Sequence, residues 1–350
     1  MPNSPTTDLC RRAVLKGMGV TAGVVAGGSL FSIGPALGAG KFQVNMQLGW
    51  LVSNGILGEV AADKLGYFSE EGLSLKIVPG GPGVDGVASV ASGRSNLGSI
   101  SSSPSLMLAR SAGIPIKCIA AGYQQHPFTY FSLKKNPVRT PEDLIGKRVA
   151  TQGTARILLR ALLAKNGIEE SDVKVSVMGA DMAGLMQGRI DVVTGWKTNI
   201  NALAVLGDQR VDMSLWDAGI QLYANPFYVT DDTLSEHRDK VVAIIRASAR
   251  GWGWVYKNRE KAVEYLVERY PNLDKASELK AVDLIMGYSF NKNTAARGWG
   301  TMTGENWQAQ IDTYDSLGQF KSAAPKPDDM MTLSILEATA DARPRYGKAS

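Results

Sequence analysis

Apolar segments that read as strands alternate along this chain with segments of helical period, and the whole pattern runs through twice. "FQVNMQLGW" places Phe42, Val44, Met46 and Leu48 on one face of a strand. A helix follows from about Gly58, with Val60, Ala61, Lys64, Leu65 and Phe68 together. "LSLKIVP" is the next strand, and Asp85 caps a short helix through "GVASVASG" that Gly93 ends. "SNLGSISSS" is a strand ending in hydroxyls. "PSLMLARSAG" is a helix opened by Pro104, and "IPIKCIAAG" is another strand. Strand and helix alternating in this way predict a mostly parallel sheet with helices on its faces.

The pattern then restarts. "FTYFSLKK" is a strand, and "TPEDLIG" opens a helix with Thr140 as N-cap and Pro141 at its first position. "KRVATQ", "VKVSVMG" and "RIDVVTGW" are further strands, separated by "TARILLRALLAKNGI" and "DMAGLMQG" as helices. "NPFYVTDDTL" is read as one more strand, and long helices run from Glu236 to Arg269. A chain of 350 residues can hold two such α/β units. The terminal helices complete the first unit more naturally than they form a third.

Composition excludes little. The net charge is +5, but Arg11, Arg12 and Lys16 against Asp8 place +2 of it in the first forty residues. The remainder has no run of five or more basic residues, so nucleic acid is not expected as a partner. Those forty residues are more informative. Paired arginines in "CRRAVLKG" precede a Gly/Ala-rich apolar run and "ALGAG", the layout of an export signal cleaved within 34–40. The motif resembles a twin-arginine signal, with Cys10 where Ser or Thr is usual and Val14 where Phe is usual. No cysteine follows the run, so no lipid anchor is expected. The reading is an exported periplasmic chain with residues 1–39 removed.

Metal and thiol chemistry find no support. Cys118 is the one cysteine left after cleavage and sits in an apolar strand, where a buried structural thiol is expected. His126 and His237 lack ligand spacing and read as surface or hinge residues. "GGPGVDG" lacks the Lys-Ser/Thr ending of a phosphate loop. Neither a cofactor nor a metal is expected, nor an enzymatic activity.

Five segments in order, "AADKLGYFSEEGLSLKIVPGG", "SAGIPIKCIAAG", "TPEDLIGKRVATQGT", "LMQGRIDVVTG" and "IIRASARGWGWVYKNREKAVEYL", resemble the periplasmic solute-binding proteins for nitrate, sulfonate, taurine and thiamine-pyrimidine precursors. The resemblance covers about 42 to 320. It implies a type II periplasmic-binding fold: two α/β lobes joined by two crossover strands, with the ligand in the cleft between them. Lobe one would be 41–125 plus 225–350 and lobe two 126–224, with crossovers near 122–128 and 223–227. The implied partners are a small-molecule ligand and the permease subunits of an ABC importer, with the chain acting as a monomer. A periplasmic sensor would bind in the same way without transport. Pyrimidine synthases share the fold, but their cysteine-rich motif and iron-binding histidines are missing here.

Ligands of open α/β sheets lie beyond the carboxyl ends of the strands, where loops and helix starts present free N–H groups. That rule selects the candidates. Trp50 closes the first strand, either as an aromatic wall for ligand or as a plug for the sheet end, and Asn54 follows it. Ser101, Ser102 and Ser103 precede Pro104, with one serine expected to cap the helix and another to face the cleft. Thr154 is an expected N-cap. Arg156 opposes the helix dipole there, so an anion, either ligand or neighbouring carboxylate, should compensate it. Asp181 is a cap or a partner for an amine, Trp196 a second aromatic wall, and Asn225 a crossover residue. Trp252, Trp254, Trp299 and Trp307 read as packing. These residues suit a pyrimidine-like heterocycle or a sulfonate, and a stacking Trp50 favours the flat ring.

Overall fold

The computed structural model describes residues 40–347 except 82 and 180–181. The expected export signal and Asp181 lie outside the described residues. From Lys41 onward the chain forms one unit built around two five-stranded sheets.

The first sheet contains β1 (Phe42–Leu48), β2 (Leu73–Val78), β3 (Leu97–Ser99), β4 (Ile116–Tyr123) and β10 (Ala224–Thr230), in the order β2-β1-β3-β10-β4. The second contains β5 (Phe128–Leu133), β6 (Arg148–Thr151), β7 (Lys174–Val177), β8 (Val192–Trp196) and β9 (Arg210–Ser214), in the order β7-β6-β8-β5-β9. Both sheets share one plan. In the first, β1 runs parallel to β2 and β3, with Phe42 opposite Leu73 and Met46 opposite Leu97. In the second, β6 runs parallel to β7 and β8. A strand that has crossed from the other half then enters each sheet antiparallel: β10 between β3 and β4, and β5 between β8 and β9.

The sheets are therefore mixed, not mostly parallel. Local periodicity reports a strand but not its direction. Two boundaries also move. β1 stops at Leu48, leaving Trp50 in the turn beyond it, and the "SNLGSISSS" strand shrinks to Leu97–Ser99. The strand read in "NPFYVTDDTL" ends at Thr230, whose hydroxyl accepts from Thr233 N–H and caps the helix Asp231–Glu236.

Burial follows the period over the middle of β1, and Gln47 on the opposite face is buried as well. Val44, Met46 and Leu48 of β1 are buried. All of β5 is buried, as expected of a strand covered on both faces. The long helices Arg238–Lys257 and Arg259–Arg269 pack on the first sheet's helix Leu57–Lys64. The approach is close because both sides present glycine. A Cβ on Gly251 would stand 2.1 Å from the Gly58 carbonyl oxygen.

The β4–β5 and β9–β10 links carry the chain between the sheets, and β4 and β10 lie side by side there. A Cβ on Gly122 would stand 2.7 Å from the Asn225 carbonyl oxygen. Gly122→Ala is expected to destabilise the protein by about 1–3 kcal/mol, read as a lower urea midpoint with unchanged slope.

Candidate functional site

The carboxyl ends of the parallel strands in both sheets open onto one cavity of about 990 Å³. From the first sheet, β1 delivers the turn from Gly49 to Ile56, β2 the turn around Asp85, and β3 the serines ahead of the helix Ser103–Ser111. From the second, β6 delivers Gln152 and Thr154, and β8 delivers Trp196 and the turn into the short helix Ile200–Leu203, with Asn199 and Asn201. The segment from Tyr270 to Glu278, at the start of the helix Lys275–Ser289, completes the wall.

The two sheets touch through a short polar bridge. Asn54, buried in the turn after β1, donates from Nδ2 to the Thr198 carbonyl at 3.2 Å and to Glu278 Oε2 at 2.8 Å. Burial raises the Glu278 carboxyl above its usual range, and the Asn54 hydrogen bond opposes that shift. Asn225 fixes the same turn from behind, its Nδ2 donating to the Gly55 carbonyl at 3.3 Å. Its φ of +47° makes it the non-glycine residue with left-handed backbone among the described residues, a conformation that asparagine tolerates better than most.

Of the residues selected from sequence, the cavity brings together Trp50, Asn54, Ser101, Ser102, Thr154, Trp196 and Asn225. Trp50 and Trp196 are both half-buried there. Trp196 packs against Tyr123 and His126, with ring centroids 5.8 and 5.7 Å away.

Four of the selected residues depart from expectation. Ser103 is fully buried behind the wall, where its hydroxyl donates to the Tyr223 carbonyl and to Gln310 Oε1. Ser102 is the N-cap residue of its helix, but its side chain makes no capping hydrogen bond. Arg156 does not line the cavity. Its guanidinium pairs with Glu170 at 2.6 Å, and Glu170 also takes Arg160 at 2.8 Å. The compensating anion is thus a neighbouring carboxylate. Thr154 lies inside the turn Gly153–Ala155, and Ala155 is the N-cap of the helix Arg156–Lys165.

The wall also holds residues not proposed for it from the sequence, among them His126, Gln152, Asn199 and Glu278. Gln152 had a readable signal, because it directly follows β6. Its amide exchanges hydrogen bonds with Thr194, Nε2 to the carbonyl at 2.9 Å and Oε1 from the hydroxyl at 3.1 Å. His126, read as a surface or hinge residue, is only 1% exposed.

The electrostatics are one-sided. No lysine or arginine lines the cavity among the described residues, whereas Asp85, Asp274 and Glu278 do. Asp85 and Asp274 each cap a helix, accepting from Ala88 N–H and Ser277 N–H. A free anion would find hydroxyls, amides and N–H groups here but no countercharge, so its desolvation would go largely uncompensated.

Two sheets of this shared plan, joined by two links and closing on one cavity, define the periplasmic-binding-protein class of fold. The family model described as "NMT1/THI5 like" matches residues 53–262, and the chain belongs to that family. It is similar to the riboflavin-binding protein RibY of Chloroflexus aurantiacus, 26% identical over 215 residues, 59% of this chain and 61% of the relative. The chain thus spans about three-fifths of that relative's length. The formylaminopyrimidine-binding protein of Halalkalibacterium halodurans is 26% identical over 270 residues, 73% of this chain and 80% of the relative. A Legionella pneumophila relative named as a 4-amino-5-hydroxymethyl-2-methylpyrimidine phosphate synthase is 23% identical over 247 residues, 68% of this chain and 77% of the relative. Among solved structures, the alkanesulfonate-binding protein SsuA of Xanthomonas axonopodis pv. citri superposes with a TM-score of 0.60 at 17% identity, covering 83% of this chain and 96% of that one.

Proposed function

We propose that this protein is the exported solute-binding component of an ABC importer and captures a flat, uncharged or cationic heteroaromatic molecule. The observation that carries this reading is the cavity wall, which offers two tryptophans, hydroxyls, amides and three carboxylates, and no lysine or arginine among the described residues. Flat rings gain from indole walls, and scattered polar groups fix orientation. A sulfonate or nitrate would lack its countercharge. The volume, near the upper end for small-ligand sites, leaves room for more than one fused ring.

Transport then follows from closure. Residues 41–125 with 225–350 would act as one lobe and 126–224 as the other, bending at the two links. The closed form would be what the permease reads, and Asn54, which already spans to Thr198, would stay engaged in it. Export by the twin-arginine-type segment and action as a monomer complete the proposal.

A thermal-shift series on the purified protein tests it, using riboflavin, formylaminopyrimidine, an alkanesulfonate and nitrate. A ligand that binds only the folded state at a hundred times its Kd adds about 2.7 kcal/mol. A heteroaromatic probe is expected to raise the melting midpoint, and Trp50→Ala or Trp196→Ala to remove most of that rise. A shift with sulfonate alone would overturn the ligand class. Recovery of the bound probe chemically altered would favour the enzymatic reading that the synthase relative carries.

A further inference from the structure

Resting on that reading of the cavity, we infer that Glu278 is its cation-recognising residue and that the ligand carries a positively charged N–H group, as a ring-protonated amino-heterocycle does. Glu278 lies in the first turn of the helix Lys275–Ser289, is 7% exposed and lines the cavity. Its two oxygens differ. Oε2 accepts from Asn54 Nδ2 at 2.8 Å, and the same amide donates to the Thr198 carbonyl, which anchors that end of the carboxylate. Oε1 has no hydrogen-bond partner among the described residues, yet it is not sealed in as the orphaned Oε2 of Glu59 is. A wall residue meets solvent in the cavity, so one carboxylate oxygen stands open to whatever enters.

This carboxylate has no counterion in the protein. No lysine or arginine lines the cavity among the described residues, and the charged group that acts on Glu278, Asp274, is another acid. The helix start favours negative charge, but exposed Asp274 at the N-cap already meets that need, accepting from Ser277 N–H at 2.8 Å. Packing alone would be served as well by glutamine, which keeps an oxygen for Asn54 and costs less to bury. A buried anion held only by a neutral amide is compensated when the cavity's occupant brings the cation. Trp50, Trp196 and Tyr270 line the same cavity, and aromatic faces attract organic cations as well as flat rings.

The class of ligand narrows from a flat ring to a flat cation. A neutral ring of the same outline would displace water from Oε1 without replacing its hydrogen bonds, and so would be disfavoured. An anion would meet the carboxylate's own charge. Because Asn54 ties Glu278 to the Thr198 carbonyl, the charge is read where the turns of the two sheets touch.

Two probes of one outline test this at about pH 7.5: 4-aminoquinoline, whose ring nitrogen is protonated there, and 4-methylquinoline, which is neutral. Titration calorimetry measures both against the wild type and Glu278→Gln, and the melting midpoints of the ligand-free proteins are read alongside. The wild type is expected to bind the aminoquinoline at least about tenfold more tightly than the methylquinoline. Glu278→Gln should lose that preference, binding the aminoquinoline at least about tenfold more weakly and the methylquinoline within about threefold of wild type. Without ligand the variant should melt no lower than wild type, because the Asn54 contact survives and an unpaired charge is gone. Equal binding of the two probes by the wild type would overturn the inference and leave the heteroaromatic reading standing. So would a variant that keeps the preference, or one that loses both probes equally and melts lower, since Glu278 would then act only as an anchor for Asn54. Binding of uncharged riboflavin or formylaminopyrimidine with neither quinoline bound would also sink the cation assignment alone. If no heteroaromatic probe binds the wild type, the reading of the cavity itself fails and the assignment falls with it.

Discussion

Trp252→Ala is expected to cost about 4 kcal/mol or more, among the largest single losses in the molecule. Trp252 sits on the long helix Arg238–Lys257, 1% exposed, stacked at 6.0 Å on Trp299 and edge-on to Tyr123. Its indole N–H donates to Glu59 Oε1 at 3.0 Å. Truncation removes the indole's transfer energy and leaves a cavity whose facing surface cannot refill it. Gly58 borders the ring so tightly that a Cβ there would meet it at 2.2 Å, and glycine has no side chain to relax into the space. The Glu59 carboxyl would also lose its donor in a site that already resists charge. Urea unfolding of the variant tests this. Trp252→Phe, which keeps most of the volume but not the N–H, should fall between. A loss under about 1 kcal/mol for the alanine variant would mean that the helices close over the gap.

Much of the architecture is legible in the sequence because strand period and helix caps are local. The alternation of Val44, Met46 and Leu48 and the Asp85 cap can each be read within a few residues. What could not be read is what arrives from far away. Neither β5 nor β10 carries any mark of its antiparallel direction, because direction is set by the path between sheets. Arg156 does signal that it needs an anion, but only the fold brings Glu170 to it. Ser103 looks like its neighbours and is turned inward by Gln310, 207 residues on. Glu278 reaches Asn54 across 224 residues from a helix with nothing unusual in its composition. The tryptophans show the same division. Trp252, Trp299 and Trp307 are buried as read, while Trp50 and Trp196 are set apart from them by their positions at strand ends.

Glu59→Gln is expected to stabilise the protein above neutral pH by up to about 3 kcal/mol and to change little near pH 4.5. Glu59 is fully buried on the helix Leu57–Lys64, beneath Arg238–Lys257. Desolvation raises its carboxyl from 4.5 to about 7, against weaker opposing effects of its own backbone N–H, the Trp252 N–H and the nearby Ser248 hydroxyl. Its second oxygen, Oε2, has no hydrogen-bond partner, nor does the Ser248 hydroxyl. The unfolded chain releases this proton near 4.5, whereas the folded chain holds it to about 7. Between those values the folded state binds more protons, so stability falls as pH rises through the window and is level on either side. Glutamine keeps an oxygen for the Trp252 N–H and supplies the neutral donor that the protonated acid would offer, without the penalty of ionisation. Urea titrations of both proteins at pH 4.5 and pH 8 give the answer. A gain present only at the higher pH identifies Glu59 as the group that titrates, and an equal difference at both would mean that the carboxyl stays charged with a partner in the fold.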